Sequence, residues 1–368
     1  MIPGYATPEG TAAYRQRATR AVADHFRLLE DCALSSVGIG TYLGPEDDAT
    51  DRLYREAAIR ALELGANVID TAVNYRHQRS ERAIGEALAE LIGSGRLKRE
   101  EVVVATKGGF IPFDGAPPSN VRDYFTETYL RPGILRPDDV VAGCHAMTPP
   151  YLEDQLERSR RNLGLETLDI YYLHNPETQL GEVGRSEFLA RLRAAFAFLE
   201  SAVENGRIRR YGTATWNGCR QPSRATDYLS LAELVEAARA VAGPGHHFRV
   251  IQLPYNLAMT EAFTFANQAV DGATVSALEA ARRLGIYVMA SASVYQGQLT
   301  RNLPAVIGDF LPGLATDAQR ALQFVRSTPG IGSALVGMKQ VAHVEENLEV
   351  AKVAPIPWSE FQRLFKEA

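Results

Sequence analysis

Eight short apolar runs punctuate the chain at fairly regular intervals. They are VGIGTY (37–42), ANVIDTA (66–72), VVVATKG (102–108), LDIYYLH (168–174), YGTATW (211–216), VIQLPYN (250–256), YVMASAS (287–293) and SALVGM (333–338). Each is too short and too uniformly apolar for an amphipathic helix, and each reads as a strand buried on both faces. Between them lie segments with helical spacing, among them SERAIGEALAELIGSG, YLEDQLERSRRNLG and SEFLARLRAAFAFLESAVENG. Several end on a glycine just before the next strand: Gly65, Gly164, Gly206 and Gly285. A glycine there supplies the left-handed cap that turns the chain from helix into strand. Strands alternating with helices predict a parallel sheet with the helices outside. Eight such units predict an α/β fold of the closed (β/α)8 TIM-barrel type. An open doubly wound sheet is the alternative, but no G-x-G-x-x-G follows the first strand.

The spacing is uneven in two places. Residues 110–146 separate the third strand from its helix, a loop long enough to predict a functional element on the C-terminal face of the barrel. Residues 1–30 precede the first strand and read as an N-terminal arm, made locally basic by Arg15, Arg17, Arg20 and Arg27. Packing of this arm on the barrel is the simpler reading. The expectation is therefore an arm (1–30) followed by one barrel domain (31–368), closed by a C-terminal helix in PIPWSEFQRLF.

Composition narrows the class. At 368 residues and 46% hydrophobic, the chain can bury a large core. A net charge of −5 argues against nucleic acid as the main partner. No apolar run approaches the roughly 18 residues that span a bilayer, and the N-terminus has no apolar signal region. The three cysteines, Cys32, Cys144 and Cys219, are few and far apart. They predict neither a disulfide framework nor a metal site, and Cys144 and Cys219 read as buried or half-buried thiols rather than nucleophiles, since neither has an evident base beside it. The expectation is a cytoplasmic enzyme with no membrane or nucleic-acid partner, its oligomeric state left open.

In a barrel, unusual polar residues at strand C-termini face the mouth. Asp70 ends the second strand and Tyr75 follows it; Lys107 ends the third and His174 the fourth. A lysine after an apolar run is costly to bury alone, and Asp70 on the neighbouring strand is its natural partner. A lysine beside a phenol favours the phenolate and lowers the phenol pKa. Tyr75 then reads as a general acid, with His174 orienting a carbonyl oxygen. Taken singly, each residue has an ordinary structural explanation.

Seven segments in order resemble the aldo-keto reductase superfamily, over about residues 34–352: GIGTY, DTAVNY, SERAIG, VVVATKGG, LDIYYLHNP, GRIRRYGTATWN and GMKQVAHVEENL. The resemblance implies a catalytic tetrad at Asp70, Tyr75, Lys107 and His174, hydride transfer between a nicotinamide and a carbonyl or alcohol, and a small-molecule substrate such as a sugar or a natural-product aldehyde or ketone. It implies NADPH as cofactor, with NADH the alternative. Thr41, Tyr42, Gln252 (holding the carboxamide), Glu346 and Asn347 (contacting adenine) match the family's cofactor contacts. Three positions depart from it. Ala214-Thr215 replace a Ser-Asn pair, leaving Thr215 as the side-chain contact. Ser291 stands where many members stack an aromatic ring on the nicotinamide, with Tyr295 a substitute. Gly337 and Met338 replace a Lys-Ser pair and His343 a common Arg, leaving Lys339 and His343 for a phosphate.

Some features are left with two readings. His145 at the end of the long loop faces substrate or packs the loop, with Thr148 as the following helix N-cap. Asn175 and Glu177 line the mouth or form a solvated loop. A nicotinamide-binding sensor or interaction protein with little turnover is the second functional class. A carboxylate-based lyase or glycosidase is a third, disfavoured because only one acid stands at a strand end.

Overall fold

The computed structural model describes residues 1–365. A hairpin of β1 (Phe26–Leu29) and β2 (Cys32–Ser35) precedes β3 (Val37–Gly40), β4 (Val68–Asp70), β5 (Val103–Gly108), β6 (Leu168–His174), β7 (Ile208–Ala214) and β8 (Phe248–Pro254). A second hairpin, β9 (Ala266–Val270) with β10 (Ala273–Ser276), is followed by β11 (Tyr287–Ser291) and β12 (Ile331–Gly337). The eight long-range strands pair in parallel and close in the ring order β11-β12-β3-β4-β5-β6-β7-β8. This is the closed barrel the eight apolar runs predict. Among the described residues no helix is long and apolar enough to cross a membrane.

The strands are apolar throughout because both faces are covered. Val68, Val103, Ala105, Ile170, Tyr172, Val250, Met289 and Leu335 fill the interior, while Tyr171, Leu173, Tyr211 and Ile251 face the helices. Helix ends follow the local chemistry. Asp47 caps the helix Asp48–Glu63 by accepting from Thr50 N, and Thr316 and Gln319 form a reciprocal capping box on the helix Asp317–Ser327. Gly164 ends the helix Pro149–Leu163 at φ 67°, and Gly65, Gly206 and Gly285 also take positive φ. Gly212 is required for another reason: a Cβ there would lie 1.7 Å from Val250 O on β8.

The N-terminal arm packs beneath the barrel. It forms the helix Pro8–Arg17, capped by Thr7. Ala6 N donates to the buried Asp169 at 2.7 Å; Asp169 also accepts from Val104 N at 2.8 Å and from Arg99 at 2.7 Å. Arg17 pairs with Glu101 and Arg27 donates to Ile331 O. The basic residues of the arm are thus largely tied to the barrel.

The long loop after β5 is ordered by a small core of its own. Tyr129, Leu135, Ala146 and Tyr151 are buried together, with Ile111, Tyr124 and Phe125 against them. The C-terminal helix is shorter than PIPWSEFQRLF predicts: one turn, Trp358–Phe361, runs into a 3₁₀ turn, Gln362–Phe365. Its Phe361 packs 5.4 Å from Phe324; the last three residues of the chain lie outside the described range.

Candidate active site

Three consecutive strands bring the four titratable groups to one place. Lys107 is fully buried at the end of β5, and its Nζ donates to Asp70 Oδ2 at 2.7 Å and to Thr71 O at 2.8 Å. The same Nζ lies 4.7 Å from the centre of the Tyr75 ring. The Tyr75 ring stands 5.8 Å from the imidazole of His174. The pairing of Lys107 with Asp70 follows from register: Asp70 opposes Ala105 on β5, so both side chains enter the barrel within one strand spacing.

The acidity of Tyr75 differs from the simple expectation. Burial raises its pKa above the ordinary value of 10.0, and Lys107 opposes this without reversing it. The reason is that the phenolate loses more hydration than one cation returns, since that cation is already shared with Asp70. Tyr75 is therefore a neutral phenol at pH 7, ready to donate. Burial opposes the charge on Lys107, but Asp70 and Tyr75 prevail and raise its pKa. His174 is held neutral: burial, with Lys107 and His145, lowers its pKa well below 6.5. Its Nδ1 is buried without a partner. An unpaired lone pair costs less there than an unpaired N–H, so the proton sits on Nε2.

The loop after Tyr75 is strained and anchored. Arg76, His77 and Gln78 have φ of 47°, 52° and 73°, each a conformation that costs a non-glycine residue about 1–2 kcal/mol. Arg76 is buried. It donates to Pro45 O at 2.8 Å and to Asp51 at 2.6 Å, while Gln78 donates to Phe113 O at 2.9 Å. These ties fix the entry of Tyr75 between the β3 loop and the long loop.

The remaining positions are placed as follows. Thr41 is buried, its hydroxyl on Thr71 Oγ1 at 2.9 Å. Tyr42 is 56% exposed, with its ring 5.0 Å from that of Tyr75. Gln252 on β8 donates its Nε2 to Asp70 Oδ1 at 2.7 Å. Ser291 ends β11 half-buried, and Tyr295 follows at φ 48° with a half-buried ring. Gly337 ends β12 facing open space. Lys339 Nζ lies 3.6 Å from where a Cβ on Gly44 would stand, with Arg76 Nε 3.8 Å from the same point. His343 is exposed and Glu346 half-buried, while Asn347 is buried with its Oδ1 unpartnered.

Thr215 departs from its expected availability. Its hydroxyl donates to the buried Glu177, whose Oε1 also accepts from the backbone N–H of Trp216 at 2.8 Å and of Asn217 at 3.2 Å. The hydroxyl proton is thus committed to Glu177, and Thr215 has no donor left for a ligand. Glu177 is buried rather than part of a solvated loop. Burial raises its pKa. His145 takes the packing role: its Nδ1 accepts from Gln179 at 2.9 Å and its Nε2 donates to His174 O at 2.7 Å. Thr148 occupies the N-cap position without a capping bond. Cys219 is buried but Cys144 is exposed, because the turn around left-handed Ala142 and Gly143 carries it outward.

Burial pushes His145 down to about 4. An unfolded chain would protonate it below about pH 6.5, so its contribution to stability is present above that pH and is lost as pH falls towards 4. Relative to a His145→Gln variant, the wild type is expected to lose about 1.4 kcal/mol per pH unit below 6.5. Urea unfolding of both proteins at pH 7 and pH 5 checks this; equal changes in the two would contradict it. The comparison must be made with the variant, because buried Glu81 and Glu177, both raised by burial, titrate with the opposite sign.

The model of the aldo/keto reductase family matches residues 36–303. Among curated relatives, an NADH-specific methylglyoxal reductase of Escherichia coli is 27% identical over 210 residues, 55% of this chain and 54% of that protein. A (1S)-1,7-diacetoxy-luvungin A aldo-keto reductase of Citrus sinensis is 29% identical over 147 residues, 40% of this chain and 33% of that protein. The matched part of the chain thus spans about half or less of these relatives. Among solved structures, an aldo/keto reductase from Klebsiella pneumoniae in complex with NADP and acetate aligns over 94% of this chain and 96% of its own, with a TM-score of 0.61 and 22% identity. A glycerol dehydrogenase from Gluconobacter oxydans aligns over 94% and 95%, with a TM-score of 0.62 and 19% identity. At such identities these structures speak for the fold alone. The family match covers most of the chain, and on that ground the chain belongs to the aldo/keto reductase family.

Proposed function

We propose that the protein is a nicotinamide-dependent oxidoreductase that reduces a carbonyl at the barrel mouth, with Tyr75 as proton donor. The observation that carries this reading is the buried arrangement of a neutral phenol 4.7 Å from Lys107 Nζ and beside a neutral imidazole. Tyr75 gives its proton to the carbonyl oxygen as that oxygen gains negative charge. Lys107, held by Asp70, stabilises the phenolate left behind. His174 donates Nε2–H to the same oxygen and fixes its position.

The residues fit a dinucleotide at both ends. Asn347 Oδ1, buried and unpartnered, suits an amine of an adenine. Gln252 donates to Asp70 and keeps its Oε1 for a carboxamide N–H. Lys339 makes no ion pair within 4 Å of a described carboxylate and, with His343, is available to a phosphate, which favours NADPH; the relative specific for NADH keeps the second cofactor in view. A reduced nicotinamide bound there supplies the hydride.

Aromatic side chains ring the reacting groups. Phe110 lies 5.0 Å from His174. Tyr42 stands beside Tyr75, and Trp216 is 41% exposed two residues beyond Ala214, the strand partner of His174. This rim favours a carbonyl carried on an apolar or aromatic body, such as a natural-product ketone, over a free sugar. The test is consumption of NADPH or NADH with an aromatic aldehyde, methylglyoxal and an aldose. Turnover with the aromatic aldehyde at about tenfold or higher kcat/KM than the aldose is expected. No turnover on any of the three would contradict the reading.

A further inference from the structure

Asp70 is held from both sides of the barrel. Lys107 takes Oδ2 from the neighbouring strand, at 2.7 Å. Gln252 takes Oδ1, also at 2.7 Å, from β8. In the ring order, β8 stands four strands from β4 in either direction. The Gln252 side chain therefore crosses the barrel interior to reach Asp70. Its backbone is fixed as well: Gln252 O accepts from Thr215 N at 2.8 Å, and Gln252 pairs with Ala214 and Met289. The residue is almost fully buried, so this bond forms part of the floor of the mouth.

We propose that Gln252 is a positioning residue for proton transfer: by gripping Asp70 across the barrel it sets where Lys107 stands beneath Tyr75. Asp70 accepts and cannot donate, so Gln252 must present Nε2 to it.

The amide geometry makes a specific prediction for Q252E. A protonated glutamic acid reproduces the pattern, donating O–H to Asp70 and keeping a free carbonyl oxygen. An ionised one places two carboxylates together and breaks the grip. Besides Lys107, the titratable groups near Asp70 are Tyr75 and Tyr172, both neutral phenols at pH 7, so neither supplies a charge to offset the second carboxylate.

The test begins with the cofactor-free protein. The melting temperature of Q252E is expected to lie near that of wild type at pH 5 and to fall relative to it as pH rises to 8. The new carboxyl binds its proton more tightly folded than unfolded, so the stability it adds is lost with rising pH. A difference that does not change with pH would overturn the Gln252–Asp70 grip. In turnover, Q252E should lose kcat over the same pH range. Q252M should lose about 10- to 100-fold in kcat at every pH with little change in substrate KM. Unchanged kcat in Q252M would overturn the positioning role.

Discussion

Replacing Tyr75 with phenylalanine is expected to lower the rate of carbonyl reduction by about 10² to 10⁴ while leaving cofactor affinity within about twofold. The ring keeps its contacts with Tyr42 and His174, at 5.0 and 5.8 Å, so the mouth retains its shape and only the transferable proton is lost. His174 is left to stabilise the oxygen, but it holds its proton on a neutral ring and is a weaker acid than an imidazolium. The pH dependence carries a second signature. Burial holds Tyr75 above its ordinary value of 10.0, so reduction should show no alkaline loss from this group below about pH 10, and the reverse oxidation should accelerate as pH rises. Steady-state kinetics in both directions, with cofactor binding measured separately, decides the matter. A Tyr75→Phe protein that turns over at the wild-type rate contradicts the mechanism.

Replacing Lys107 with methionine should damage both stability and catalysis. Lys107 and Asp70 are buried as a pair. Removing one partner leaves an uncompensated carboxylate, held then only by Gln252, and this costs about 3–5 kcal/mol. Removing both charges, in Lys107→Met with Asp70→Leu, replaces the pair by apolar groups and should recover most of that stability. Catalysis should not recover, because the phenolate formed as Tyr75 gives up its proton then has no cation beside it. Urea denaturation and turnover of the single and double variants separate the two roles. If the double variant regains activity, Lys107 has only a structural function.

The sequence exposes most of this architecture because parallel strands covered on both faces read as unbroken apolar runs. VVVATKG and LDIYYLH match β5 and β6 almost residue for residue. Both hairpins are missed, since neither belongs to the strand–helix alternation. The second carried a usable signal in Asp271-Gly272, whose φ of 52° and 75° are those of a two-residue hairpin turn. Within the site, Lys107 and Asp70 are legible as a pair because adjacent strands and opposite charges leave few alternatives. The commitment of Thr215 to Glu177 is not legible, since the two are 38 positions apart and Glu177 sits in a loop of ordinary polar composition. The grip of Gln252 on Asp70 spans 182 positions and the full barrel, and no local pattern marks it. The pKa of Tyr75 is misjudged for a related reason: a charge partner can be read from neighbouring residues, whereas burial depends on the whole fold.

The most direct test of a nicotinamide site at this mouth is a fluorescence titration with NADPH and with NADH. The chain has two tryptophans. Trp216 stands at the mouth, while Trp358 packs against Phe263 at the C-terminal turn. A Trp358→Phe protein therefore reports on the mouth alone. Saturable quenching of Trp216 in the micromolar range by at least one cofactor is the predicted result, and the stronger of the two shows whether Lys339 and His343 grip a phosphate. Absence of saturable quenching by both, in a protein that is folded, would contradict the account.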